Sequence, residues 1–164
     1  MTTLDDHPGV SRVRSALAAA GATGEVVVLD EHARTAAAAA DQLGVTIAQI
    51  ANSLVFAVPD ADGGRDAVLV MTSGAHRVDT GVVAAHLGVE RLERADADLV
   101  RERTGFAIGG VAPVGHATAL TTLVDVALAE HEQVWAAAGH PRTVFPTTFD
   151  ELVRITGGRP VAVA

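Results

Sequence analysis

Apolar positions along the chain change their period several times, and each change marks an element. SRVRSALAAAG sets Val13 and Leu17 four apart on one helical face, with Ser11 placed to cap the start and Gly21 to stop it. Residues 1–9 carry no such period and read as a loose arm. The block EVVVL at 25–29 is β-branched and bounded by turn residues, which predicts a buried strand. TAAAAADQLG is a helix opened by Thr35 and ended by Gly44. VTIAQIANSLVFAV then passes through a turn into a strand at 53–58, and PDADGG connects it as a hairpin to a strand at 66–71. Asn52 and Ser53 therefore fall at a strand start.

Asp79 caps a helix that runs through VVAAHLG to Gly88, and 90–94 reads as a short exposed strand. Asp96 caps DADLVRERTG, with Leu99 and Val100 facing inward. Strands follow at 119–124, 133–138 and 142–145, the last two joined by the turn Gly139-His140-Pro141, and Asp125 stands where it can cap the short helix VALAEH. Thr148 opens a final helix, FDELVRITG, and 159–163 closes the sheet. Hairpins are frequent and no regular βαβ period appears. The class is α+β: a mixed, strongly curved sheet surrounded by helices, one domain over 1–164.

Composition narrows the chemistry. With no cysteine, disulfides, thiolate metal sites and cysteine nucleophiles are excluded. No apolar segment reaches the length of a membrane span and the N-terminus shows no targeting pattern, so a cytoplasmic protein without a membrane partner is expected. A net charge of −8 with 3% aromatic residues opposes broad nucleic-acid binding, and an RNA partner must be gripped locally. All twelve basic residues are arginine, so no side-chain ammonium is available. The seven histidines are scattered without an i,i+4 pair, and neither a metal nor a cofactor is expected. Arg91, Arg94, Arg101 and Arg103 form the densest basic stretch of an acidic chain, a candidate for phosphate contact, but they alternate with Glu90, Glu93 and Glu102, which favours a solvated, ion-paired face.

One stretch is built differently from the rest. TGFAIGGVAPVGH, residues 104–116, holds four glycines and a proline in thirteen residues, which marks a shaped loop rather than a plain connection. The amides of Gly109, Gly110 and Val111 can converge into a nest for a carbonyl or anionic oxygen, Pro113 stiffens the far side, and Gly115-His116 closes it. Phe106, Ile108, Val111 and Val114 make this loop too apolar for open water, so it is expected to line a pocket.

The pattern Gly109-x-x-x-Pro113 with Gly115-His116 behind and Thr104-Gly105-Phe106 ahead resembles the signature loop of the YbaK/prolyl-tRNA-synthetase-associated editing domains, and the resemblance runs from about Glu25 to the C-terminus. It implies a small hydrolase that removes a wrong amino acid from tRNA. The acceptor end of an aminoacyl-tRNA is the implied partner, with a synthetase as a second; apolar edge strands leave a homodimer open. The resemblance further implies Ser53, Ser73, Gly74 and Asp125 as substrate-binding positions around the same mouth, with His116 or Asp125 assisting the reaction. One departure is notable: where the family carries a lysine with a role in binding or catalysis, this chain carries Asn52, followed by the expected Ser-Leu. Ala137, Ala138 and Val144 stand where the branch acting on cysteinyl-tRNA is polar, so that branch fits poorly.

Three readings are open. The first is a free-standing trans-editing deacylase, acting on tRNA for proline that carries a small wrong amino acid, with Gly109, Gly110, Val111, His116 and Asn52 as its chemical centre. The second is a non-catalytic module of the same fold that lost the lysine and holds an aminoacyl-adenosine-like ligand or a protein. The third is an unrelated esterase with Ser53 or Ser73 as nucleophile.

Overall fold

A computed structural model describes residues 4–164. Its centre is a hairpin of β2 (Ile50–Pro59) and β3 (Arg65–Ser73), antiparallel in a register that sets Ser53 opposite Met71. Asp60 closes the connecting turn by accepting from the amides of Asp62 and Gly64. β3 is flanked by β5 (Thr121–Asp125), and β5 by β8 (Arg159–Val161), both in parallel. On the other side, Ile50 and Ala51 of β2 pair in parallel with β6 (Val134–Ala137), while Phe56 and Ala57 pair with the short β4 (Glu93–Arg94). β7 (Thr143–Thr147) is antiparallel to β6, and β1 (Val27–Val28) borders β7. The mixed α+β class is thus the one observed.

Helices cover both faces. β3 explains why: its consecutive residues Leu69, Val70 and Met71 are all fully buried, so each side of the strand needs a lid. Leu69 and Met71 join the main core with α1 (Pro8–Ala19), α4 (Ala97–Thr104) and α5 (Phe149–Thr156), through Val13, Leu17, Leu99, Val100 and Leu152. Val70 faces the opposite way, onto Val83 of α3 (Thr80–Leu87). Ala39 and Ala40 of α2 (Ala36–Leu43) pack on Ile50 and Trp135. The expected caps Thr35, Asp79, Asp96 and Thr148 all accept amide protons from the next turn, and Gly44, Gly88, Gly105 and Gly157 end their helices in the left-handed conformation.

Several boundaries differ from the sequence reading. α1 starts at Pro8 and not at Ser11, because Nδ1 of His7 accepts from the Gly9 amide and proline suits the first helical position. The arm is correspondingly shorter: Leu4–Asp6 form a 3-10 turn and Gly9 is buried. The stretch at 25–29 contributes only Val27 and Val28 to the sheet, exposed at 39% and 44%, since β7 is its one neighbour. β2 begins three residues early, at Ile50, because the Thr46–Gln49 capping box closes a 3-10 turn there. Asn52 and Ser53 accordingly lie inside the strand. VALAEH forms a 3-10 turn, Val126–Glu130, with Asp125 as its cap.

The start of α1 is pressed onto the β6–β7 turn. A Cβ built on Gly139 would sit 2.6 Å from the Gly9 carbonyl oxygen, and one built on Gly9 would sit 2.6 Å from the carbonyl oxygen of Gly139. Gly139 also holds φ at +101°, which side-chain-bearing residues avoid. Left-handed strain and overpacking together should make Gly139→Ala cost about 3 kcal/mol in urea denaturation; a loss below about 1 kcal/mol would mean that the contact relaxes easily.

Candidate active site

β2, β6, the start of α2, the 104–116 loop and the Gly139–Thr143 turn enclose a cavity of about 160 Å³. That is small beside the 300–1,000 Å³ of drug-sized sites and suits a group of a few atoms. Its walls are Ala33, Ala36, Ala39, Ala51, Ala136, Ala137, Ile50, Val111 and Val144, with Trp135 beside them. The indole N–H of Trp135 is buried without a hydrogen-bond partner. Polar groups come from Arg34, Thr35, Asn52, Ser53, His140 and Thr143, and no carboxylate lines the cavity.

The sequence-predicted residues divide into two sets. Asn52, Ser53, Gly109 and Val111 meet in this cavity. The Asn52 side chain has no hydrogen bond to any described residue, so its amide does not serve the local backbone. Ser53 is half-buried and its hydroxyl donates to Met71 Sδ at 3.3 Å. Gly109 holds φ at +91°, and a Cβ there would stand 3.1 Å from Arg34 Cγ. Of the three amides in the glycine nest, that of Gly110 is already donated to the Ala107 carbonyl at 3.0 Å. The Gly109 and Val111 amides have no partner among the described residues.

The second set lies elsewhere. Pro113, Gly115 and His116 line a separate cleft with Ala16 and Ile155. The His116 ring packs edge-on to Phe106, and its Nε2 donates to the Ala112 carbonyl at 2.7 Å, which folds the loop back on itself. Asp125 is 1% exposed; it accepts from the Thr72 hydroxyl, the Ser73 amide and the Ala127 amide, and lies 2.9 Å from His76 Nδ1. Ser73 donates its hydroxyl to the Ala48 carbonyl. Neither Ser53 nor Ser73 is bonded to a histidine, which a serine nucleophile would need. Gly74 supports the cavity from behind: a side chain there would collide with the Ile47 carbonyl and the Ala36 methyl.

His140 and Arg34 were not singled out from the sequence, yet both line the cavity. His140 Nδ1 accepts from the Arg142 amide at 3.0 Å, so the neutral ring carries its proton on Nε2. His7 is fixed in the same way by Gly9. The rings of His7 and His32 lie 5.0 and 5.5 Å from that of His140. A metal-binding imidazole donates from its second nitrogen, whereas His7 and His140 accept there. Among the described residues no group of three or more histidines or carboxylates has metal-holding geometry.

The cavity thus combines small apolar walls with two residues, Gly109 and Val111, whose amides have no partner among the described residues, and no carboxylate lines it. Comparison with known proteins gives it a family. The model of the aminoacyl-tRNA editing domain matches residues 30–155, and the chain belongs to that family. A solved structure described as "a putative trans-editing enzyme for prolyl tRNA synthetase" is similar at 41% identity and a TM-score of 0.85, covering 95% of this chain and 96% of that one. The hypothetical protein APE2540 is similar at 28% identity and a TM-score of 0.80, over 93% and 98% of the two chains. The uncharacterized protein YwhH of Bacillus subtilis (strain 168) shares 28% identity over 128 residues, 78% of each chain. No helix among the described residues is long and apolar enough to cross a membrane.

Burial holds His116 below the ordinary histidine range, partly offset by its bond to Ala112, with Arg12 lowering it further. His140 is also held low, by burial first, then by His7, His32, Arg142 and Arg34. Both rings bind protons more readily in the unfolded chain, so their contribution to stability is present above the unfolded value of 6.5 and is lost as pH falls through the native one. Urea midpoints should therefore fall between pH 7 and pH 5. His116→Gln, which keeps a donor for the Ala112 carbonyl, should flatten that fall; an unchanged slope would show that His116 does not contribute to it.

Proposed function

We propose that this protein is a free-standing hydrolase that deacylates mischarged aminoacyl-tRNA in trans, its substrate being tRNA for proline that carries a small wrong amino acid. The observation that carries the reading is the pairing, in one small cavity, of the unspent amides of Gly109 and Val111 with the unpartnered Asn52 side chain. The alanine walls and the volume of about 160 Å³ suit a small side chain.

In this reading water attacks the ester carbonyl carbon, the developing oxyanion is held by the Gly109 and Val111 amides, and the bond to the ribose oxygen breaks. The ribose oxygen leaves with a proton, releasing amino acid and tRNA. Preorganised donors of this kind are worth about 3 kcal/mol each in the transition state. Gly110 supports the loop in place of donating: a Cβ there would approach the His140 backbone to 3.1 Å. Asn52 orients the amino acid through its amide, and His140 Nε2–H supplies a further neutral donor. The cavity wall holds no carboxylate to act as base, which fits a reaction in which the substrate's own ribose hydroxyl positions the water. His116, Asp125, Ser73, Gly74, Pro113 and Gly115 act by shaping the loop and the strand ends around the cavity.

The second reading, a binding module without turnover, draws on Asn52 itself, which supplies no charge where the family has lysine. The test is hydrolysis of Ala-, Ser- and Cys-charged tRNA for proline. One of the three should be deacylated, Gly109→Val should reduce the rate at least about 100-fold, and Asn52→Ala should lower kcat/KM about 10- to 100-fold. Activity that arises only in Asn52→Lys would favour the binding module.

A further inference from the structure

A second, larger cavity of about 580 Å³ adjoins the first, and Arg34, Ile108, His140 and Pro141 belong to the walls of both. Every ionisable side chain that lines it is a histidine or an arginine: His7, Arg12, His32, Arg34, Arg101 and His140. In a chain of net charge −8 this gathers a quarter of the arginines and three of the seven histidines around one space with no carboxylate in its wall. The charges are also available. Arg34 and Arg101 make no side-chain hydrogen bond or ion pair with any described residue, whereas Arg91, Arg65 and Arg103 are each paired with a carboxylate. Arg12 is held in place by the Gly105 carbonyl at 2.8 Å and by the face of Phe106. His7 has its Nε2–H left to donate because the Gly9 amide occupies its Nδ1 atom.

We propose that this cavity is a phosphate subsite that receives the sugar–phosphate backbone just upstream of the terminal adenosine of the tRNA acceptor strand, and so delivers the acylated end across Ile108 into the small cavity. The inference rests on the deacylase reading for the identity of its ligand but not for its measurement. Guanidinium forks and N–H donors with no competing carboxylate select a phosphate oxygen over a neutral group. Ile108, 57% exposed at the common rim, gives the ribose or base an apolar edge.

The test is equilibrium binding of an uncharged RNA hairpin with a single-stranded CCA 3′ end, which is read without turnover. Arg101→Gln with His32→Gln, both exposed and neither bonded to the fold, should weaken binding about tenfold and reduce the salt slope by about one. Arg91→Gln, which removes a cation paired with Glu93 outside the cavity, should leave the affinity within about twofold. Equal losses in the two would overturn the proposal in favour of a diffuse electrostatic field. Inorganic phosphate is the other arm: phosphate that binds wild type and fails on the double variant, while the hairpin binds neither, would assign the cavity to a free anion and overturn the RNA subsite. Should the hairpin bind as proposed and no charged tRNA be hydrolysed, the deacylase reading fails and the phosphate subsite stands.

Discussion

Two carbonyls and two missing side chains hold the functional end of this molecule together. Gly9 and Gly139 meet backbone to backbone, each so close that a Cβ on either would sit 2.6 Å from the other's carbonyl oxygen. That approach joins the first turn of α1 to the β6–β7 turn, which is joined in turn to the segment before α2 by the bonds Leu29 to Arg142 and Ala33 to Pro141. Three segments remote in sequence therefore share one corner. His7 arrives from the first, His32 and Arg34 from the second, and His140 from the third. The glycine loop is seated on the same corner, since Gly109 packs on Arg34 and Gly110 on the His140 backbone. Disturbing the corner would shift both cavities at once.

What could be read from the sequence follows from how local each feature is. Helix caps are decided by one side chain and the amides two or three residues on, so Thr35, Asp79, Asp96 and Thr148 were legible. The hairpin and the glycine loop were legible for the same reason. Burial of a strand is a non-local property. EVVVL has the composition of a core strand, yet Val27 and Val28 lie at the sheet edge because β1 has a neighbour on one side alone. The start of β2 is set both by the Thr46–Gln49 turn before it and by the pairing of Ile50 with Trp135 of β6, more than eighty residues away in the chain, and the second of these leaves no local mark.

The site shows the same division. A resemblance in the loop and at Asn52 and Ser53 located one wall of the small cavity, while Asp125 joins the end of β3 to the turn after β5, and the Ser73 hydroxyl and Gly74 amide bond to Ala48 just before β2 and to Ile50 at its start. His116 attracted attention by its loop, and its ring is occupied in bracing that loop. His140 was passed over as one of several scattered histidines in a turn. No spacing rule could have found it, because its partners His7 and His32 lie more than a hundred residues earlier in the chain and meet it through the Gly9–Gly139 contact and the bonds of Leu29 to Arg142 and Ala33 to Pro141.

The composition acquires a meaning once the cavities are in view. An acidic protein repels RNA at a distance, so attraction must come from a site whose charges are neither paired nor screened by its own carboxylates. Arginine suits such a site, because its guanidinium keeps its charge throughout the pH range where histidines titrate and presents several donors in a fixed plane. The smaller cavity beside it is mostly apolar, with Arg34 as the one arginine in its wall. Two of the three arginines, Arg12 and Arg101, line the larger cavity alone and Arg34 stands at the wall shared with the small one, and asparagine in place of lysine at position 52 adds no further cation there.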